Sequence, residues 1–520
     1  VVRLSIRLIG MTALLATTAP AAVAQNATNE AWIGQTGDTN TIAITQTGIG
    51  NSAGANAAAL EINQDGRFNS LVIDQFGLGN KAGAAALADP AAPQGINQVG
   101  DRNFASVSQK NDRDDDGSSI GAIYQNSSTG LSGTANSLTV EQNGEASING
   151  DADGERRASH SIGFVSQTNS SDGLDANIVK LLQSGGLNGI GNSIERVIQT
   201  GYANSVLAIQ TLEQNVIGSA SQTGHGNAMT VLQGEGEANA VEKVTQDGTG
   251  NQTTISQSGD RNYVISAYQN NALGPIAGNT LAVTLAGNDN GGDGLGGPGA
   301  FTTDEAKAVS VFHSTFTQIG GDNDIRLTVN GGNENQFGVS QIGDGNGAIV
   351  AIGRSAGPSA IVASNNEVAT TQIGDGNSLS VTIVGGRNAT GSTVDGNRNS
   401  LWFDQTGDDN KISTSIQGDD NNNSDSLTIG GFTGNVGLLA ASLALTPGQG
   451  LQSGKLNHAS IKVVSGNGNL FAFTQHGDGN AATFDLTGVS NQSLISQAGD
   501  TNSARIGQNG TGNSMAISQF

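Results

Sequence analysis

The chain has 520 residues, of which 77 are Gly and none is Cys; aromatic residues make up 4 % and the formal charge is −23 at pH 7. So much Gly beside so few large apolar side chains excludes a thick globular core. It leaves either disorder or a thin repetitive fold in which hydrogen-bonded ladders share the work with a narrow apolar strip. The acidic balance argues against sequence-independent nucleic-acid binding, which needs a basic footprint, and the lack of Cys excludes disulfides and thiol chemistry.

Residues 1–24 read as a secretory signal peptide. Arg3 and Arg7 give a positive start, Leu8 to Ala16 an apolar run, and Ala22-Val23-Ala24 a small-residue cleavage site. Losing those two arginines moves the charge from −23 to −25. No other stretch is apolar over the roughly 18 residues that a membrane span needs. The expected product is secreted, at the cell surface or in an extracellular fibre, and not membrane-spanning. Residues 25–34 form a short N-terminal segment.

From residue 35 to 520 one unit recurs: N-x-Φ-x-Φ-x-Q-x-G-x-x, eleven residues long, with Φ usually aliphatic. Its signature Q-x-G-x-x-N starts at eighteen glutamines between Gln35 and Gln508. The half from Asn to Gln alternates with period two, as a strand with one buried face should. In NTIAITQ, Ile42 and Ile44 share a face with Asn40 and Gln46; in NSLVIDQ, Leu71 and Ile73 share one with Asn69 and Gln75. The other half supplies a turn, with Gly at +2 for backbone angles other residues resist. A disordered Gln/Asn/Gly tract would be amide-rich without this phase.

Two units make a coil of about 22 residues, and stacked coils would lie at the ~4.8 Å strand spacing. Gln then falls over Gln and Asn over Asn, each amide donating to one layer and accepting from the other. The expected fold is therefore all-β: a β-solenoid of stacked two-strand coils with loop insertions at the turns. The ladder residues include Gln35, Asn40, Gln46, Gln64, Asn69, Gln75, Gln246, Asn251, Gln257, Gln497, Asn502, Gln508, Asn513 and Gln519. The insertions fall near 81–93, 110–121, 145–160, 271–304, 347–365 and 430–451, and the phase of the repeat survives them.

Candidate chemistry is sparse. NDRDDDG (Asn111–Gly117) matches the first half of a calcium loop, with Asp112, Asp114 and Asp116 as oxygen ligands. Its twelfth position is Ile123 where a bidentate Glu is needed, so a solvated acidic insertion is the favoured account and weak Ca²⁺ binding the alternative. NDNGGDGLGGPG (Asn288–Gly299) lacks the repetition of a calcium-binding β-roll. The G-x-S-x-G matches at 117–121 and 353–357 lack the strand-to-helix context of a nucleophile elbow. His160, His225, His313, His458 and His476 show no paired metal spacing. No catalytic constellation emerges; the expectation is a protein that is not an enzyme and has no cofactor beyond a weak Ca²⁺ candidate.

QDGTGNQTTISQ (Gln246–Gln257) and QNGTGNSMAISQ (Gln508–Gln519) resemble the curlin repeat of curli fibre subunits, and the resemblance covers most of the chain after residue 24. The chain departs from that family in its length, in Asn replacing Ser at the strand start, and in its insertions. The resemblance implies a β-solenoid assembling into extracellular amyloid fibres for adhesion and biofilm matrix. It also implies self-association or co-assembly with other curlin-repeat subunits, and export through the family's outer-membrane secretion machinery. The strand ending at Gln519 is expected to act as an uncapped template for strand addition. The alternative is a monomeric surface adhesin or ligand-binding solenoid whose insertions carry recognition.

Overall fold

The computed structural model describes residues 2–7, 21–24, 29–55, 60–83, 94–111, 117–128, 135–144, 159–169, 175–185, 190–271, 277–292, 301–353, 363–423, 431–464 and 466–520. They fall into two compact units, Val1–Gln257 and Ser258–Phe520. Asp112, Asp114 and Asp116 lie outside the described residues, as do 84–93 and 145–158.

Each unit is a β-solenoid. In the first, the chain alternates between two parallel sheets. Thr41–Ile49, Ser70–Leu78, Asn103–Asn111 and Asn136–Asn143 stack in one, while Glu30–Thr36, Ile62–Asp65, Gly95–Val99 and Ser119–Ser127 stack in the other. Register is strict: Ile42 lies on Leu71, Ile44 on Ile73 and Gln46 on Gln75. Val2–Arg7 instead pairs antiparallel with Glu30–Thr36. The second unit repeats the plan, with Glu367–Ile373, Ala389–Asp395 and Lys411–Gln417 in one sheet and Ser378–Val384 and Ser400–Thr406 in the other.

The period-two pattern explains the core. Ile42, Ile44, Leu71, Ile73, Leu138 and Val140 are buried, and so are Phe403, Phe471 and Phe473 further on. Burying each such side chain stabilises by roughly 1.5–3 kcal/mol, and a one-residue slip would lose the whole set.

Eleven residues per half-coil proves to be the minimum rather than the rule. Asn204 to Gln210 and Asn227 to Gln233 span six steps, but Asn192 to Gln199, Asn215 to Gln222 and Asn239 to Gln246 span seven. The extra residue is a bulge stacked on bulges. Ile194 lies over Ile217 and Val197 over Ala220, all four buried, with two residues instead of one between them. A coil therefore advances by 22 residues at Gln475–Gln497 but by 23 at Gln199–Gln222, and by 24 at Gln222–Gln246, where the turn from Gln233 to Asn239 adds one more.

The turn glycines answer two demands at once. Gly48 has φ +112°, and a Cβ there would run into the carbonyl of Gly77 one coil on. Stacking as well as backbone angle excludes a side chain.

Several segments expected as loops carry structure. Ser159 and His160 open a strand, and Thr280–Leu285 and Gly347–Ile349 join the stack. Helix α1 (Asp304–Lys307) lies in the segment that starts near 271, and helix α2 (Gly434–Ser442) in the one near 430–451. Among the described residues no helix is long and apolar enough to cross a membrane.

Candidate functional site

The residues that repeat most strictly are the buried amides, and the structure joins them into continuous ladders. In one sheet of the first unit, Gln46 Nε2 donates to Gln75 Oε1 (2.8 Å), Gln75 to Gln109 (2.8 Å), and so on through Gln142, Gln183, Gln210 and Gln233 to Gln257. In the other sheet the ladder runs from Gln35 through Gln64, Gln98, Gln125, Gln167, Gln199 and Gln222 to Gln246. Each Gln has a second N–H, and it crosses the core: Gln64 donates to the Thr41 carbonyl (3.1 Å) and Gln246 to that of Ala228 (3.0 Å). A lone buried amide would cost about 1–3 kcal/mol; stacked, it is satisfied.

Asn does the equivalent work at the start of most strands. The backbone N–H of Asn69 donates to Asn40 Oδ1, and that of Asn103 to Asn69 Oδ1, both at 3.0 Å. Asn69 Nδ2 reaches the carbonyl of Gly100 (2.8 Å), so the Asn and Gly ladders lock together. Asn251, Asn502 and Asn513 are held in the same way by Asn227, Asn480 and Asn491. Each ladder therefore has a direction, donating one way and accepting from the other.

In the second unit the Gln ladder changes sheet. Gln269, Gln318, Gln341 and Gln372 form it in one sheet while the opposite positions are Leu285, Val329, Ile352 and Ile383, all buried. Then Val394 lies on Gln372 and Gln405 on Ile383, and the ladder continues through Gln405, Gln452, Gln475, Gln497 and Gln519. Gln508, expected to stack on a Gln, stacks on Leu486 instead. Where a new run begins, a hydroxyl from the opposite sheet serves its open acceptor: Thr390 donates to Gln405 Oε1 and Ser493 to Gln508 Oε1, both at 2.8 Å. Where the first run ends, Gln372 Nε2 is buried with no hydrogen-bond partner among the described residues.

His160 takes an Asn position in the first unit. Its Nδ1 accepts from the backbone N–H of Asn192 (3.2 Å) and its Nε2–H donates to the Asn143 carbonyl (3.2 Å). Burial pushes this imidazole down to about 4, a shift that the backbone hydrogen bonds to Asn143 and Gly185 only partly oppose. The residue sits in a segment that sequence alone assigns to an insertion, and the run from His160 to Gln167 is the signal that locates it.

The turn residues add a charged edge. Asp375 Oδ1 accepts from the backbone N–H of Asp344 (2.8 Å), Asn397 Oδ1 from Asp375 and Asp419 Oδ1 from Asn397. Arg387 lies over Asp409 and Arg398 over Asp420, each pair joined by two hydrogen bonds of 2.6–2.8 Å. The hydrogen bond from Arg387 lowers the Asp409 carboxyl below its usual value, and Arg398 does the same to Asp420. These pairs are solvated and contribute little to stability. Among the described residues, no three His, Asp or Glu side chains group to hold a metal ion.

What this arrangement can do is stack. Towards the following coil a Gln offers its Nε2 donor and an Asn its Oδ1 acceptor, and the following coil answers with a Gln Oε1 and an Asn backbone N–H. No family model matches the chain, and no curated protein is significantly similar to it.

Proposed function

We propose that this chain is a secreted structural subunit of curli-like functional amyloid fibres, acting in adhesion and biofilm matrix by templated strand addition. The observation that carries the reading is the directionality of the amide ladders: a coil without a neighbour leaves one column of acceptors or donors open. A second observation supports addition between copies. Asn29, Gln35, Asn40 and Gln46 stand at steps of six, five and six residues, and so do Asn502, Gln508, Asn513 and Gln519. With residues 1–24 removed, whose Val2–Arg7 and Ala21–Ala24 pair with the strands of the first set, a coil of the second set laid on the first in another copy reproduces the stacking already present within the chain. Backbone hydrogen bonds would supply the affinity and the amides the register.

In this reading the protein is exported through the outer-membrane machinery of the curli type and assembles alone or with other curlin-repeat subunits. Fibre diffraction tests it. Aligned assemblies should give a meridional reflection near ~4.8 Å and an equatorial one near ~10 Å. Assemblies without the first reflection would reject stacking as the mode of association. Protein that stays monomeric would favour an adhesin whose insertions carry recognition.

A further inference from the structure

Both helices of the second unit are built onto the outside of the solenoid, and the two are attached in the same way. The segment carrying α1 crosses one sheet on a column of small residues, Gly338, Ala369 and Gly391, which lie in register on successive strands. Phe301, Ala306 and Val309 pack on Ala369. A Cβ at Gly391 would run into the Glu305 carbonyl, and one at Gly338 into Val311 and the carbonyl of Phe312. The other sheet carries Ala472, Leu494 and Ala516 in register, and Val436, Ala440 and Leu445 of the α2 segment pack there.

Each segment is clasped near its start through Thr, and the α1 segment is also held by an ion pair between Glu305 and Lys411 (3.4 Å). The Glu367 carboxylate accepts from the backbone N–H groups of Thr302 and Thr303 (both 2.8 Å) and from their hydroxyls. Gln492 Oε1 accepts from the Thr433 N–H (2.7 Å) and its Nε2 donates to the Thr433 hydroxyl (2.8 Å). Glu367 follows ladder Asn366 and Gln492 follows ladder Asn491, while Ala369 and Leu494 stand three places after those asparagines. Two segments unrelated in sequence thus use the same clasp and the same seat on opposite sheets.

We infer that the two segments are face guards. They cover the most apolar, small-residue part of each outer sheet face in this unit, where a second copy could pack sheet to sheet, and leave the ladder direction open. Parallel sheets that present columns of apolar, mostly small residues are suited to dry face-to-face packing, the lateral contact of cross-β assemblies. With a seat covered on each sheet of the same unit, association is biased along the stack, and the bare seat is a latent interface for the bare seat of another copy. The inference rests on the fibre reading for its biological role, but its test stands apart from it.

Gly391→Val puts a branched Cβ where the Glu305 carbonyl lies while keeping a strand-favouring residue, and Glu367→Ala removes the clasp. A further variant replaces 301–312 and 432–446 with Gly-Ser linkers, which bares both seats whatever the point variants do. Seeded filaments are measured for width by electron microscopy and for elongation rate, and unseeded protein is sedimented. The inference expects narrow wild-type filaments, with variant filaments bundled to several times that width at an unchanged elongation rate. It also expects unseeded variants to associate where the wild type does not. Unchanged width and sedimentation in the linker variant would overturn it. A wild type that forms no filaments would count against the fibre reading alone, because sedimentation of the variants still decides whether the seats self-associate.

Discussion

The backbone N–H of Asn192 points at the ring Nδ1 of His160, 3.2 Å away, at a place where neighbouring coils offer an amide oxygen. A proton on Nδ1 would meet that N–H head on, so the coil holds the imidazole neutral. The folded value of about 4 is depressed from the unfolded 6.5. The stability conferred is thus full above the unfolded value and is lost as the pH falls from there through the folded one. The difference is on the order of 3 kcal/mol. His160→Asn restores the amide and should flatten this dependence. Hydrogen exchange of Ser159–Asn169 between pH 4 and 7 checks it, and equal slopes in the two proteins would contradict it.

The hydroxyls at the starts of the Gln runs should matter more than their size suggests. Thr390→Val and Ser493→Ala leave Gln405 Oε1 and Gln508 Oε1 buried without their donors. Each is expected to cost about 1–3 kcal/mol, the usual penalty for an orphaned buried acceptor. Exchange rates of the amides in Ser400–Thr406 and Ser503–Thr511 measure this. Substituting a hydroxyl on the wet face, such as Ser106, should leave them unchanged.

Gly48→Ala tests the second demand on the turns. At a positive φ alone, Ala costs roughly 1 kcal/mol. Here the methyl also meets the Gly77 carbonyl of the next coil, so the loss should be clearly larger and local to that turn. At Gly510, at nearly the same φ (+115°), the nearest atom to an added Cβ is Asn513 Nδ2 at 3.5 Å, an ordinary contact, and Ala should show the backbone cost alone. Equal losses at the two sites would mean that stacking plays no part.

The α1 clasp should open in acid. Burial raises the Glu367 carboxyl, but the hydrogen bonds from Thr302 and Thr303 outweigh it and hold it below its ordinary 4.5. A depressed carboxyl stabilises above its unfolded value, and that stabilisation is lost as the pH falls through the lower folded value. Exchange of 301–313 should therefore accelerate in acid, and Glu367→Gln should remove most of the pH dependence.

The ladder residues were legible because amides and alternation share one phase: Asn40, Ile42, Ile44 and Gln46 can face one core only in a strand. The bulges were not, since an added residue such as that between Ile194 and Val197 breaks the alternation that reveals the strand. The change of sheet was hidden for a related reason. Val394, Ile416 and Leu486 occupy Gln positions, and an aliphatic there reads as a degenerate repeat rather than as half of a paired exchange between sheets. Helices α1 and α2 escaped because short apolar runs among Gly and Thr carry too little helical period to register. Their seats, Ala369 and Gly391 for α1 and Ala472 and Ala516 for α2, look like ordinary wet-face residues until something is packed on them.

The most direct test of the central claim is thioflavin T fluorescence of residues 25–520 over time, with and without preformed seeds. Templated stacking predicts a lag that shortens with concentration and vanishes on seeding. A flat trace from strand-rich protein that sediments as a monomer, seeded or not, would contradict it.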